Sequence, residues 1–145
     1  MGPSRSRLQS GNGGADAVKI FKKIDHTEII PRDFARAIDF YTNVLGFRVR
    51  TRQKASAPPM EEVAYLELNG TMVELLSVKD PVPAPTDPWR AGYRMIALEV
   101  DDMDQAVEYL KDKGVDLAWG PLTLGTSKRA EIRDPDGLPI ELRQW

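Results

Sequence analysis

The feature that most constrains how this chain can fold is an internal repeat. His26 and Met95 are 69 residues apart, as are Asp33 and Asp102, and Ala37 and Ala106. Further along, Gly70 and Gly137 are 67 apart, as are Glu74 and Glu141. The pairs match in kind: helix cap with helix cap, turn glycine with turn glycine, acidic strand position with acidic strand position. A chance repeat would not hold register on both sides of the intervening loops, which are expected to absorb the small difference between the offsets. The chain is therefore two copies of one supersecondary unit.

Local patterning says what that unit is. A first strand runs from about Ile20 or Ile24 to Ile30 and stops at Pro31, with His26 and Glu28 on one face and Thr27 and Ile29 on the other. Asp33 is a helix N-cap, and Phe34, Ala37, Ile38, Tyr41 and Leu45 form one apolar stripe that ends at Gly46. Strands follow over Phe47–Lys54, Glu62–Leu68 and Thr71–Val78, with Asn69-Gly70 as the tight turn between the last two. Between Val78 and Ala91 lie Pro81, Pro83, Pro85 and Pro88, a density that excludes a helix or a central strand and reads as an extended linker. The order then repeats: a strand over Tyr93–Val100, a helix capped by Asp102 with Met103, Ala106, Val107 and Leu110 on its apolar face, a stop at Gly114, and strands over Val115–Trp119, Ser127–Arg133 and Leu138–Arg143. The expected architecture is α+β, two tandem βαβββ modules. Module one covers 20–78, the linker 79–91 and module two 92–145, with 1–19 a disordered tail whose glycines and serines offer little to bury.

Composition narrows the partners. With 20 basic and 22 acidic residues the net charge is −2, so no global field draws the chain to nucleic acid or an anionic membrane. No apolar run approaches a membrane span, and the arginines near the N-terminus have no apolar run behind them as a secretory signal would. The absence of cysteine removes disulfides, thiolate ligands and a cysteine nucleophile. A cytoplasmic protein that binds a small molecule is the default expectation.

The candidate site residues are His26, the sole histidine, and the repeat-related positions Glu74, Met95 and Glu141. An imidazole beside two carboxylates is a donor set for a divalent metal, whereas a thioether is a soft ligand that most such ions bind poorly. Each has a plainer reading. His26 would be a strand histidine in a polar pocket, Glu74 and Glu141 exposed acids on a solvated face, and Met95 simple pocket lining, which is the favoured reading for it. The apolar neighbours Val73 and Leu75, and Ile140 and Leu142, send both glutamates to the face opposite the core. Asp134-Pro135-Asp136-Gly137 lacks the further acidic positions of a calcium loop and reads as a hairpin turn.

Several stretches resemble the vicinal oxygen chelate superfamily of glyoxalases, bleomycin-resistance proteins and dioxygenases. They are His26-Thr27, Ile38-Asp39-Phe40-Tyr41-Thr42, Val44-Leu45-Gly46-Phe47, Ile96 through Asp102, and Arg133 through Gly137 leading into Ile140-Glu141-Leu142. The resemblance implies a glyoxalase-like fold in which the sheets curl into a cup and four strand positions aim at one metal. Here these are His26, Glu74, Met95 and Glu141, so three slots match the His, Glu, His, Glu pattern and Met95 departs from it. It implies His26, Glu74 and Glu141 as metal ligands, Glu74 and Glu141 as the catalytic proton carriers beside a metal-stabilised enediolate, a divalent ion (Zn, Ni, Co, Mn or Fe) conditional on the missing third ligand, and a homodimer. Ile30 and Val78 occupy places where bacterial glyoxalase I carries glutathione-recognising residues, which argues against a glutathione adduct. The leading expectation is a metal-dependent lyase or isomerase acting on a small oxygenated metabolite. The alternative is a metal-free small-molecule-binding protein of the bleomycin-resistance kind, and an extradiol dioxygenase is a distant third.

Overall fold

The computed structural model describes residues 20–145, so the tail expected over 1–19 lies outside the described residues. The first module consists of β1 (Thr27–Ile29), α1 (Phe34–Asp39) running into a π-helical turn (Phe40–Val44), β2 (Arg48–Lys54), β3 (Met60–Leu68) and β4 (Thr71–Val78). The second consists of β5 (Ile96–Glu99), α2 (Met103–Asp112), β6 (Trp119–Leu124), β7 (Ser127–Arg133) and β8 (Pro139–Gln144). Each module makes a four-stranded mixed sheet, ordered β1-β4-β3-β2 and β5-β8-β7-β6. The first strand of each pairs in parallel with the last, and the other pairings are antiparallel. The fold is α+β, two tandem βαβββ modules.

Both helices begin as the capping residues dictate. Asp33 Oδ1 accepts from the Arg36 N–H at 3.0 Å and Asp102 Oδ1 from the Gln105 N–H at 3.1 Å, each satisfying an otherwise orphaned donor of the first turn. The two helices do not close alike. The Leu45 N–H reaches back five residues to the Phe40 carbonyl at 3.1 Å, the wide turn of a π-helix. Asp33 precedes Gly46 by 13 residues and Asp102 precedes Gly114 by 12. Part of the offset difference in the repeat is therefore taken up inside the first helix and not only in loops. The widened turn also brings the consecutive residues Phe40 and Tyr41 into the core together.

The core lies between the helices and one face of each sheet. Ala64, Leu66, Val73 and Leu75 of the first module join Ala130, Ile132, Ile140 and Leu142 of the second in one apolar cluster, with Ala37, Tyr41, Met103 and Leu110 from the helical side. Three hydrogen bonds cross between the modules. Tyr41 Oη donates to Asp134 Oδ2 at 3.1 Å, the Arg32 N–H to Asp136 Oδ2 at 3.0 Å, and Tyr109 Oη to the Val44 carbonyl at 2.6 Å. Asn69 and Gly70 both have positive φ (47° and 83°), as a two-residue hairpin turn of the mirror-image type requires. No helix among the described residues is long and apolar enough to cross a membrane.

Three strands begin three or more residues later than the sequence reading places them. β1 and β5 are shorter than expected because their parallel ladders cover only Thr27–Ile29 and Ile96–Glu99, and Ile20, Phe21, Ile24 and Tyr93 ahead of them are exposed. The strand expected over Val115–Trp119 lies instead at Trp119–Leu124, although it contains Pro121. An edge position accounts for this, since the proline lacks a donor only where no neighbour needs one, and the ladder with β7 is interrupted between Trp119 and Leu122. Gly120 makes the interruption possible. Its φ is 81°, and a Cβ there would lie 2.7 Å from the Arg129 carbonyl oxygen.

Candidate functional site

The site begins with alternation along β4. Val73 and Leu75 point into the core, so Glu74 between them faces the concave side of the sheet, where it is only 5% exposed. The parallel register pairs Glu28 with Glu74 and the antiparallel register pairs Tyr65 with Glu74. His26, two residues before Glu28, falls on the same face just ahead of β1. Its ring meets Tyr65 edge-on, with centroids 5.4 Å apart.

His26 is held from both sides. Nδ1 lies 2.8 Å from Asp25 Oδ2, which assigns the proton to Nδ1 in the neutral ring. Nε2 then faces Glu74 Oε2 at 2.9 Å and Glu28 Oε1 at 3.6 Å. Glu74 Oε2 is a buried atom without a properly aligned hydrogen-bond partner, even though its separation from Nε2 is short. His26 Nε2 and Glu74 Oε2 are thus close without an aligned hydrogen bond, a separation that suits a proton or a cation between the two atoms. The Asp25 carboxylate raises the His26 pKa above its ordinary value, with Glu74 and Glu28 adding to the effect, and Asp25 is lowered in return. Burial, reinforced by Glu28, holds the Glu74 carboxyl above the usual range, and burial likewise raises Tyr65.

These features fit a divalent metal. Ligand atoms each about 2.1 Å from an ion and at right angles to one another sit about 3 Å apart, close to the His26–Glu74 separation. A carboxylate on the remote nitrogen is also the arrangement that orients metal-binding histidines. Among the described residues, His26, Glu28 and Glu74 form a group whose ligand atoms all lie within 4.8 Å of one another. Glu28 was not among the sequence candidates. The signal for it was present in the His-x-Glu alternation, which places both side chains on one face.

Glu141 has different neighbours. It occupies the corresponding place on β8, between the buried Ile140 and Leu142, but its Oε1 lies 2.7 Å from both Arg129 Nε and Arg143 Nη2. Glu131, also largely buried, pairs with Arg129 Nη2 at 2.7 Å. Arg129 Nε is buried and poorly aligned toward Glu141, so there too a short distance overstates the hydrogen bond. Met95, half-buried just ahead of β5, lines a cavity of about 440 Å³ with Arg94, Glu131 and the proline-rich segment. That cavity includes none of His26, Glu28 or Glu74. Within one chain the structure thus brings His26 and Glu74 together and leaves Glu141 and Met95 on the second sheet.

Two βαβββ modules with concave faces, one of them carrying a histidine–carboxylate cluster, define a glyoxalase-like protein. The chain belongs to the Glyoxalase/Bleomycin resistance protein/Dioxygenase superfamily, whose family pattern matches residues 23–142. It is 36% identical to the uncharacterized protein YaeR of Escherichia coli K12 over 123 residues, 83% of this chain and 95% of the relative. It is 33% identical to a lactoylglutathione lyase of Neisseria meningitidis serogroup A over 127 residues, 82% and 88% of the two chains. Among solved structures, a glyoxalase family protein from Enterococcus faecalis superposes with a TM-score of 0.74 at 25% identity, covering 86% of this chain and 99% of that one.

Proposed function

We propose that the protein is a glyoxalase-like lyase or isomerase acting on a small oxygenated metabolite at a divalent metal, with His26, Glu74 and Glu141 as ligands and Glu74 and Glu141 as proton carriers. The observation that carries this reading is the 2.9 Å approach of His26 Nε2 to the buried Glu74 Oε2 without an aligned hydrogen bond, with Asp25 orienting the ring. Such an approach is unfavourable unless a cation or a proton lies between the two atoms. Similarity to lactoylglutathione lyases supports the same chemistry class. A second copy of the chain, in a homodimer, is the proposed source of the Glu141 ligand, and a cytoplasmic setting goes with this reading.

A divalent ion bound there would supply Lewis-acid stabilisation of negative charge developing on substrate oxygens. The chain's own residues do the rest. Glu74, its carboxyl raised by burial, would take a proton from a carbon acid and return it. Asp25, hydrogen-bonded to Nδ1, orients the ring so that Nε2 faces the site. Tyr65 and the burial of Glu74 limit water around the carboxylate. Ile30 and Val78 offer no polar group for a glutathione tail, which supports a substrate other than a glutathione adduct.

The second reading is a metal-free binding protein. The ion pairs that occupy Glu141, and the thioether of Met95 in the remaining slot, favour it. Metal content of protein purified without chelator separates the two. About one equivalent in the parent and none in His26→Ala is the expected result, and no uptake of zinc, nickel, cobalt or manganese at micromolar concentration would sink the enzyme reading.

A further inference from the structure

All three tryptophans of the chain sit beside arginines of the second module. The Arg94 guanidinium lies 4.7 Å from the centre of the Trp89 ring, Arg129 lies 5.3 Å from Trp119, and Arg143 lies 4.9 Å from Trp145. These indoles come from the proline-rich linker, an edge strand and the C-terminal residue, so local sequence does not explain their convergence.

The arginines are in turn joined through carboxylates. Arg94 Nη2 is 3.8 Å from Glu131 Oε1, Arg129 reaches both Glu131 and Glu141, and Arg143 reaches Glu141. The result is one continuous surface of indole, guanidinium and carboxylate groups. Trp89 and Trp145 remain 79% and 76% exposed, and Trp119 43%. A guanidinium stacked on an indole occupies one face of each plane and leaves the other for a ligand. Of the three guanidiniums, Arg94, 3.8 Å from Glu131, is the least tightly paired, whereas Arg129 and Arg143 each meet a carboxylate at 2.7 Å. Beside this surface, Arg94 and Glu131 also line the cavity of about 440 Å³, whose walls include Met95, Pro85 and Leu138. That volume suits a small organic molecule.

The geometry points to this surface as the recognition site for a planar, conjugated organic anion, an aromatic carboxylate whose ring stacks on indole and whose charge meets the loosely paired Arg94 guanidinium. It rests on the proposed small-molecule site to which Glu141 belongs, and it adds the chemical class of the ligand. Stacking selects for planarity and the arginines select for charge, so the two contributions can be separated.

Titration calorimetry of the full chain with naphthoate, neutral naphthamide and the saturated decalin carboxylate tests it, with tryptophan emission as a second readout. Naphthoate should bind about tenfold more tightly than either comparator, and Trp145→Leu and Trp89→Leu, both at exposed positions, should each weaken it about fivefold. Naphthoate binding should persist in His26→Ala, which separates this inference from the metal reading. If metal binds but naphthoate does not, the ligand class is overturned while the enzyme reading stands. Equal affinity for the three probes would overturn the inference. So would tryptophan variants that change the oligomeric state while leaving naphthoate binding untouched, because the surface would then be an interface between copies.

Discussion

The Tyr41 hydroxyl in the first module donates a 3.1 Å hydrogen bond to Asp134 Oδ2 in the second, and both side chains are buried. Asp134 Oδ1 meanwhile accepts the backbone N–H groups of Asp136 and Leu138, each at 2.9 Å. One carboxylate therefore organises the turn before β8 and joins that turn to the π-helical turn of the first module. Removing the phenol oxygen leaves a buried carboxylate oxygen without its donor. Tyr41→Phe should lower unfolding stability by about 1–3 kcal/mol, measured by chemical denaturation at neutral pH. An unchanged midpoint would show that the link between the modules contributes nothing.

The same pair gives a pH signature. Burial, with Asp134 adding to it, raises the Tyr41 pKa far above the ordinary tyrosine value of 10.0. The folded state keeps the proton where the unfolded state releases it. The associated stability is thus fully present below pH 10 and falls as pH rises from there toward the folded pKa. Over the alkaline limb, wild type should lose stability more steeply than Tyr41→Phe, which lacks this group. Parallel curves would refute the assignment.

Gly120 meets the Arg129 carbonyl where no side chain can fit. Gly120→Ala has to move β6 or strain the backbone, and should cost about 2 kcal/mol or more. Hydrogen exchange should show faster opening of β6 with little change in the first sheet. A uniform loss across both sheets would count against this local account.

Protons compete with metal at His26. Its pKa lies above the ordinary 6.5 because Asp25 accepts from Nδ1, so protonation of the ring begins at higher pH than for a free imidazole. Apparent nickel affinity should fall as pH is lowered through this region, by about tenfold per unit once the ring is mostly protonated. In Asp25→Asn the onset should move to lower pH. An onset identical to wild type would mean that Asp25 does not set it.

If two copies together complete the site, Met95→His should tighten metal binding in the dimer and leave it unchanged in monomer obtained by dilution. Tightening in both would place Met95 beside His26 within one chain.

Much of this molecule was legible as pattern. The matched caps Asp33 and Asp102, the Asn69-Gly70 turn and the alternation around Glu74 and Glu141 all follow from neighbours along the chain, because cap, turn and strand preferences are local. The boundaries of β1, β5 and β6 were not, because they depend on how far a partner strand reaches. The π-helical turn at Phe40–Val44 was hidden for a similar reason, since its one added residue looked like a loop difference.

The sequence alone determined two βαβββ modules and the face on which each candidate side chain stands. Only the tertiary structure decided which of those side chains meet. Parallel pairing of β1 with β4 made Glu28 the third member of the His26–Glu74 group, while β7 placed Arg129 against Glu141. Alternation fixes the side of a sheet to which a residue points, but lateral neighbours are set by strand order and register between segments far apart in the chain, and no local preference encodes those.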